Sequence, residues 1–301
     1  MDHTRAASLH AARAYAHADA RKACAHALRA EYHAGFGLVR TTTDPRVSRL
    51  DTRTIRAVMT QHKDAICAGT FDPPIGSWDV SGVFDMSRLF AGWTRFNRPI
   101  GAWDTRNVRS MRGMFEDARA FDQPIGVWNV SKVEDMSQMF DGARAFNQPI
   151  GTWNVSKVGT MRRMFAVAEA FNQPLGGWKT QDAYAMDEMF AYAASFNQAL
   201  TLETRSVKSM AGMFREARAY NNGGEPLVLR TRMAQLMPHM FCHSGLRHEV
   251  TLSDMSGVRD VRMMFEGCED AACCVTRRVS STADGLAEQR ARIREDPNMQ
   301  A

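Results

Sequence analysis

F-D-Q-P-I-G-V-W-N-V-S-K-V-E-D-M-S-Q-M-F-D-G-A-R-A, residues 121–145, governs the reading of this chain, because it returns along it. Gapless copies start at Phe71, Phe96, Phe121, Phe146 and Phe171. A sixth, from Phe196, is one residue short. A seventh, from Tyr220, is longer and degenerate, and an eighth covers residues 246–270. Late in each copy comes a marker pair: Leu89-Phe90, then Met114-Phe115, Met139-Phe140, Met164-Phe165, Met189-Phe190, Met213-Phe214, Met240-Phe241 and Met264-Phe265. Its phenylalanines lie 25, 25, 25, 25, 24, 27 and 24 residues apart. A fixed step of this size is the mark of stacked supersecondary units, and eight copies exceed the roughly three that a stable stack needs. The expected architecture is a solenoid, whose function lies in its surface.

Each copy holds two periods. Val133, Met136, Met139, Phe140 and Ala143 are apolar at steps of three and four, which predicts one face of a short helix. Ser131 and Glu134 have the spacing of a capping box at its start, and Ser81 and Ser156 occupy the same cap position. Before it, Trp128 and Val130 alternate with Val127 and Asn129, the period of a strand, with Pro124 and Gly126 punctuating its start. The reading is short strand, tight corner, short helix, an α/β unit. Stacking would align Trp78, Trp103, Trp128, Trp153 and Trp178 into a column at offset-stacking distance. Fourteen of the twenty methionines fall in the repeat columns, so core packing accounts for them without a cofactor. Asn97, Asp122, Asn147, Asn172 and Asn197 recur at the second position and are expected to cap turns through the backbone. A calcium ladder is the sharper alternative, but the acidic ligands per turn are too few for it.

Phe146-Asn147-Gln148-Pro149-Ile150-Gly151-Thr152-Trp153-Asn154-Val155-Ser156-Lys157-Val158, followed by Met161 and Met164-Phe165, resembles the BspA-type leucine-rich repeat, the repeat of unknown function of mycoplasma surface lipoproteins. The resemblance covers about residues 50 to 270 and rests on many positions in several tandem copies. It implies a leucine-rich-repeat-like stack of short parallel strands and short helices, with no known catalytic activity. Bacterial members usually carry an export signal and stand on the cell surface. This chain shows no apolar signal region at its N-terminus, and its copies after Ala219 are eroded.

The flanks set the domain boundaries. Residues 1–48 are rich in Ala, His and Arg and read as an N-terminal helix and linker, with His3, His10 and His17 as a polar stripe. Residues 49–70 are expected to form a capping helix, apolar at Ile55, Val58, Met59 and Ile66. The repeats occupy 71–270, and 271–301 is a charged tail. Net charge is +5, from 38 basic and 33 acidic side chains that are interspersed, so a nucleic-acid partner is not expected. No stretch approaches the 18 apolar residues of a membrane span. The lack of a signal points to an intracellular protein, or to the cell surface if an export signal is missing from this chain. The cysteines, Cys24, Cys67, Cys242, Cys268, Cys273 and Cys274, form no paired C-x-x-C units. His239 and His243 are four apart, a spacing that can share a metal on a helix, but solvated surface histidines are the expectation. Neither a metal site nor a cofactor is expected.

The leading functional expectation is a non-enzymatic module with a protein partner, or a glycan. Its candidate surface is the outward strand face: Ser77, Asp79 and Ser81; Ala102, Asp104 and Arg106; Val127, Asn129 and Ser131; Thr152, Asn154 and Ser156; Gly177, Lys179 and Gln181. The equally weighted reading makes these a solvated surface with turn caps. An exported adhesin is the second class. An enzyme is the third, and no hydrolase, zinc-protease, phosphate-loop or dinucleotide motif supports it.

Overall fold

Two residues in each copy adopt a left-handed backbone, two before and two after the marker phenylalanine, and they decide how the copies are built. Around Phe140 they are Gln138, with φ of 59°, and Gly142, with φ of 71°. An α-helix needs φ near −63° at every residue, so it cannot run through this segment. In this computed structural model, which describes residues 49–248, 250–252, 254–268 and 275–277, the segment is a run of tight turns instead. The described residues all fall in one compact unit, Thr42–Ala301. The Ala-rich segment and linker expected over 1–48 lie outside them, as does the tail apart from 275–277.

The alternating backbone splits the amides into two sets. Met139, Asp141 and Ala143 donate within their own turn, to the carbonyls of Met136, Gln138 and Phe140. Met136, Gln138, Phe140 and Gly142 donate to the next copy, to the carbonyls of Thr160, Arg162, Met164 and Ala166, at 3.1, 2.7, 2.9 and 2.8 Å. The pattern recurs from copy to copy. Parallel bridges mark its register: Asp85, Ser110, Asp135, Thr160, Ala185, Ser209, Leu236 and Asp260 each pair with the following one. Successive copies thus lie side by side in sequence order. Val133, Met136, Met139, Phe140 and Ala143 are all buried, although no helix carries them. Turns closed between residues three apart return side chains to one side about as often as a helix does. That shared spacing is why the apolar pattern reads as a helix. The expected capping box is not made either. Ser131 donates from its amide and hydroxyl to Asn129 Oδ1, and Glu134 pairs with Arg109 at 3.1 Å.

Phenylalanine, rather than tryptophan, builds the main columns. Phe115, Phe140, Phe165 and Phe190 stack in parallel at 5.5–5.6 Å between neighbours. A second column of Phe96, Phe121, Phe146, Phe171, Phe196 and Tyr220 runs at 5.9–6.0 Å. The two interlock, with Phe140 and Phe146 only 3.9 Å apart. Trp103 and Trp128 stack at 6.4 Å. Four indoles also reach back one copy: Trp103, Trp128, Trp153 and Trp178 donate from Nε1 to the carbonyls of Ile75, Ile100, Ile125 and Ile150, while Trp78 donates to Pro73 of its own copy. The Asn/Asp column likewise acts between copies rather than capping its own turn. Asp122 Oδ1 accepts from the Asn147 amide and from Gln148 Nε2, and Asn147 Oδ1 does the same for Asn172 and Gln173. Asn197 and Asn221 carry this ladder into the eroded copies.

Regular elements lie at the two ends of the described region. Helix α1, Thr52–Ala68, begins at Asp51, whose carboxylate accepts from the amides of Arg53 and Thr54 while Thr54 Oγ1 accepts from the Asp51 amide. It ends at Gly69, which adopts φ of 76°, and Arg98 donates to the Cys67 carbonyl at 3.0 Å, placing a cation at the negative end of the helix. Ile55, Met59 and Ile66 are buried in the same core as the repeats. At the other end are three parallel strands, β1 Leu227–Leu229, β2 Val250–Leu252 and β3 Val275–Arg277, ordered β1-β2-β3. Strand β3 lies past residue 270, where the sequence reading ended the repeats.

Candidate functional site

Residues 77–81 and their equivalents are the face singled out from sequence. Trp128 and Val130 are buried, while Val127 and Asn129 between and beside them are exposed. The same holds along the column: Asp79, Ala102, Arg106, Thr152, Asn154 and Lys179 are exposed, and Ser77, Asp104, Ser131, Ser156 and Gln181 are half-buried. Much of the polarity is spent locally. Asp79 Oδ1 accepts from the Ser81 amide, Asp104 Oδ1 from the amide and Nε of Arg106, and Asn154 Oδ1 from the Ser156 amide. Each closes a side-chain-to-backbone turn two residues long. Arg106 is accordingly held above its ordinary value, first by the Asp104 hydrogen bond. Gln181 Nε2 donates to the Ser156 carbonyl one copy back. What this face offers a partner is an array of small turns with amide, hydroxyl and single-charge edges.

A second exposed column lies six residues before each marker phenylalanine, and sequence reasoning assigned it no role. It holds Phe84, Arg109, Glu134, Gly159, Tyr184, Lys208, Gln235 and Arg259, all exposed but the half-buried Gly159. Its backbone is bonded copy to copy, with the amides of Arg109, Glu134, Gly159, Tyr184 and Lys208 each donating to the residue of the preceding copy. Phe84 is 55% exposed and Tyr184 51%. The Tyr184 ring lies against Gly159, where a Cβ would come within 2.7 Å of it. Two exposed aromatics at one repeat position, among charges in the other copies, were the available signal in the sequence.

His239 and His243, expected as solvated surface histidines, are half-buried and exposed respectively, and neither lies on a helix. Both residues adopt the left-handed backbone, with φ of 54° and 53°. The His243 ring packs on Gly267. The grouping that does form is His239, Cys242 and Glu266, whose ligand atoms lie within 4.8 Å of one another. Cys242 is buried and its Sγ donates to Glu266 Oε2 at 3.5 Å. Burial first, and the Glu266 carboxylate second, push the Cys242 thiol up to about 11. Cys268 points elsewhere, to the Phe241 carbonyl at 3.2 Å. Cys24, Cys273 and Cys274 lie outside the described residues. No helix among the described residues is long and apolar enough to cross a membrane.

No curated protein and no solved structure matches the chain. One family does, described as a Mycoplasma protein of unknown function, DUF285, over residues 57–174, 123–226 and 170–276. The three overlapping matches follow the copies laid out above, the eroded ones included, and together they run through most of the chain. The chain is therefore a member of this repeat family of unknown function.

Proposed function

We propose that the chain is a non-enzymatic solenoid of the BspA-type leucine-rich-repeat kind that binds a protein partner along its exposed columns. One observation carries this reading: buried columns repeat one residue type while exposed columns change from copy to copy. The rings stacked through Phe115, Phe140, Phe165 and Phe190 are identical, and Met fills the positions before them. The exposed column beside them runs Phe84, Arg109, Glu134, Gly159, Tyr184, Lys208, Gln235 and Arg259. A scaffold needs the first kind of column; a surface that reads a partner needs the second. Exposed Phe and Tyr are among the side chains enriched at protein interfaces, which have a polar rim. Asp79, Asp104, Asn129, Asn154 and Lys179, on the polar turns of the other exposed face, would supply that rim.

The test uses the full chain as bait, followed by calorimetry with whatever protein it captures. Phe84→Ser with Tyr184→Ser is expected to weaken binding by about tenfold or more. Asp104→Lys with Asn129→Lys is expected to weaken it less. Both double variants must keep the parent far-UV spectrum. Unchanged affinity in both would sink the assignment of these columns. Turnover of a captured small molecule by the purified chain would sink the non-enzymatic reading.

A further inference from the structure

The columns two residues before and one residue after each marker phenylalanine meet between neighbouring copies. Arg88 pairs with Glu116 at 2.9 Å. Arg163 pairs with Asp141 at 2.7 Å and also with Glu188. These are ion-pair positions in the gapless copies. In the last two copies the same columns bring together His239, Cys242 and Glu266, with no arginine among the three. Their imidazole nitrogen, sulfur and carboxylate oxygen all fall within 4.8 Å of one another. The ligand atoms of a tetrahedral zinc ion stand roughly 3.5 Å apart, so rotations moving each group by about 1 Å would close the shell.

We propose that His239, Cys242 and Glu266 bind one zinc-class divalent cation, with solvent in the fourth position. The donor set selects the ion. A thiolate with an imidazole favours a borderline-soft metal over magnesium or calcium, which take oxygen shells. The surroundings suit it as well. Cys242 is buried, and its thiol proton already points at Glu266 Oε2. On binding, the sulfur–hydrogen bond is replaced by a metal–sulfur bond and one proton leaves to water. No oxidant or reductant takes part. Two ligands come from one copy and the third from the next, so the ion would tie the seventh copy to the eighth. That is where the indole column has ended and the copies are eroded.

Cobalt(II) is the probe, titrated into the full, reduced chain. The expected result is a thiolate charge-transfer band that saturates at one equivalent and is abolished by added zinc. Cys242→Ser is expected to remove that band. His239→Asn keeps a residue tolerant of the left-handed backbone and removes the imidazole. It and Glu266→Gln are expected to weaken binding by at least about tenfold, the least that even loss of an outer-shell partner costs. Cys24→Ser with Cys273→Ser and Cys274→Ser is expected to keep the band. The proposal is overturned by a wild-type chain with no band, or by a band surviving in Cys242→Ser. It also falls if affinity is unchanged in well-folded His239→Asn and Glu266→Gln, or if the triple cysteine variant loses the band.

Discussion

Between residues 71 and 195 the copies meet through side chains and tight turns; from Leu227 onward they also meet through strands. In the gapless copies the segment around Trp128 has the burial alternation of a strand but no strand ladder. From the second copy on, an indole bonds the Ile carbonyl of the copy before, and Gly126 sits under the Pro149 carbonyl. In the eroded copies there is no indole in this place. Leu227-Val228-Leu229 and Val250-Thr251-Leu252 are strand formers uninterrupted by Gly or Pro, and their backbones pair directly. The two regions teach that alternation fixes which side chains are buried, not what bonds neighbouring copies. In this segment erosion of the repeat replaces the indole bond with a backbone ladder, while the Asn and Phe columns continue.

The largest test of this contrast is Trp128→Ala against Val228→Ala. The first opens a hole beside Phe115 and frees the Ile100 carbonyl, and should cost about 3–5 kcal/mol by chemical denaturation. Val228 is 59% exposed and should cost under about 0.5 kcal/mol. A loss under about 1 kcal/mol for Trp128→Ala would break the contrast. Next comes Gly126→Ala against Gly257→Ala. A Cβ on Gly126 would lie 2.4 Å from the Pro149 carbonyl oxygen, whereas on Gly257 its nearest neighbour is the Ala234 oxygen at 3.3 Å. The expected costs are about 1–3 kcal/mol for the first and clearly less for the second, read as shifts in melting temperature.

The Asn ladder crosses both regions and sharpens the comparison. Asn147 Oδ1 accepts two bonds from the next copy, from Asn172 and Gln173, while Asn221 Oδ1 accepts from the Arg247 amide. Asn147→Ala should cost about 1–2 kcal/mol and Asn221→Ala about 1 kcal/mol in the same denaturation assay. Equal losses would mean that the ladder's second donor contributes nothing. The smallest effect is a gain. Val167 is β-branched yet holds φ of 55°, in a column where other copies place Gly92, Gly142 and Gly267. Val167→Gly should stabilise by about 0.5–1 kcal/mol, left-handed strain relieved less the entropy of a new glycine.

The Met-Phe step, the buried columns and the capping helix were open to a reader of the sequence, because each is a pattern of burial. The turn conformation was not, since Val133, Met136, Met139, Phe140 and Ala143 fit a helix and a run of tight turns equally. A clue was nonetheless present: Gly113 and Gly212 two before the phenylalanine, and Gly92, Gly142 and Gly267 two after it. Glycine recurring at those two places signals positive φ. For the candidate surface, alternation identified exposed positions such as Asp79 and Asn154 but left a binding face and turn caps equally weighted, and their oxygens close turns. Glu266 stands 24 residues from Cys242, so the grouping with His239 depends on the register of the copies, which only the fold supplies.

The direction of the hydrogen bonds between copies makes one copy interchangeable with another. The copy around Phe165 receives at the carbonyls of Thr160, Arg162, Met164 and Ala166 and gives from the amides of Met161, Arg163, Phe165 and Val167. A tandem duplication of whole repeats would recreate both sets of partners, whereas one ending partway through a repeat would leave rings and amides without their counterparts. Chain length in such a molecule changes in whole graduations, like a ruler, and the number of stacked copies becomes a quantity that copying alone can raise or lower.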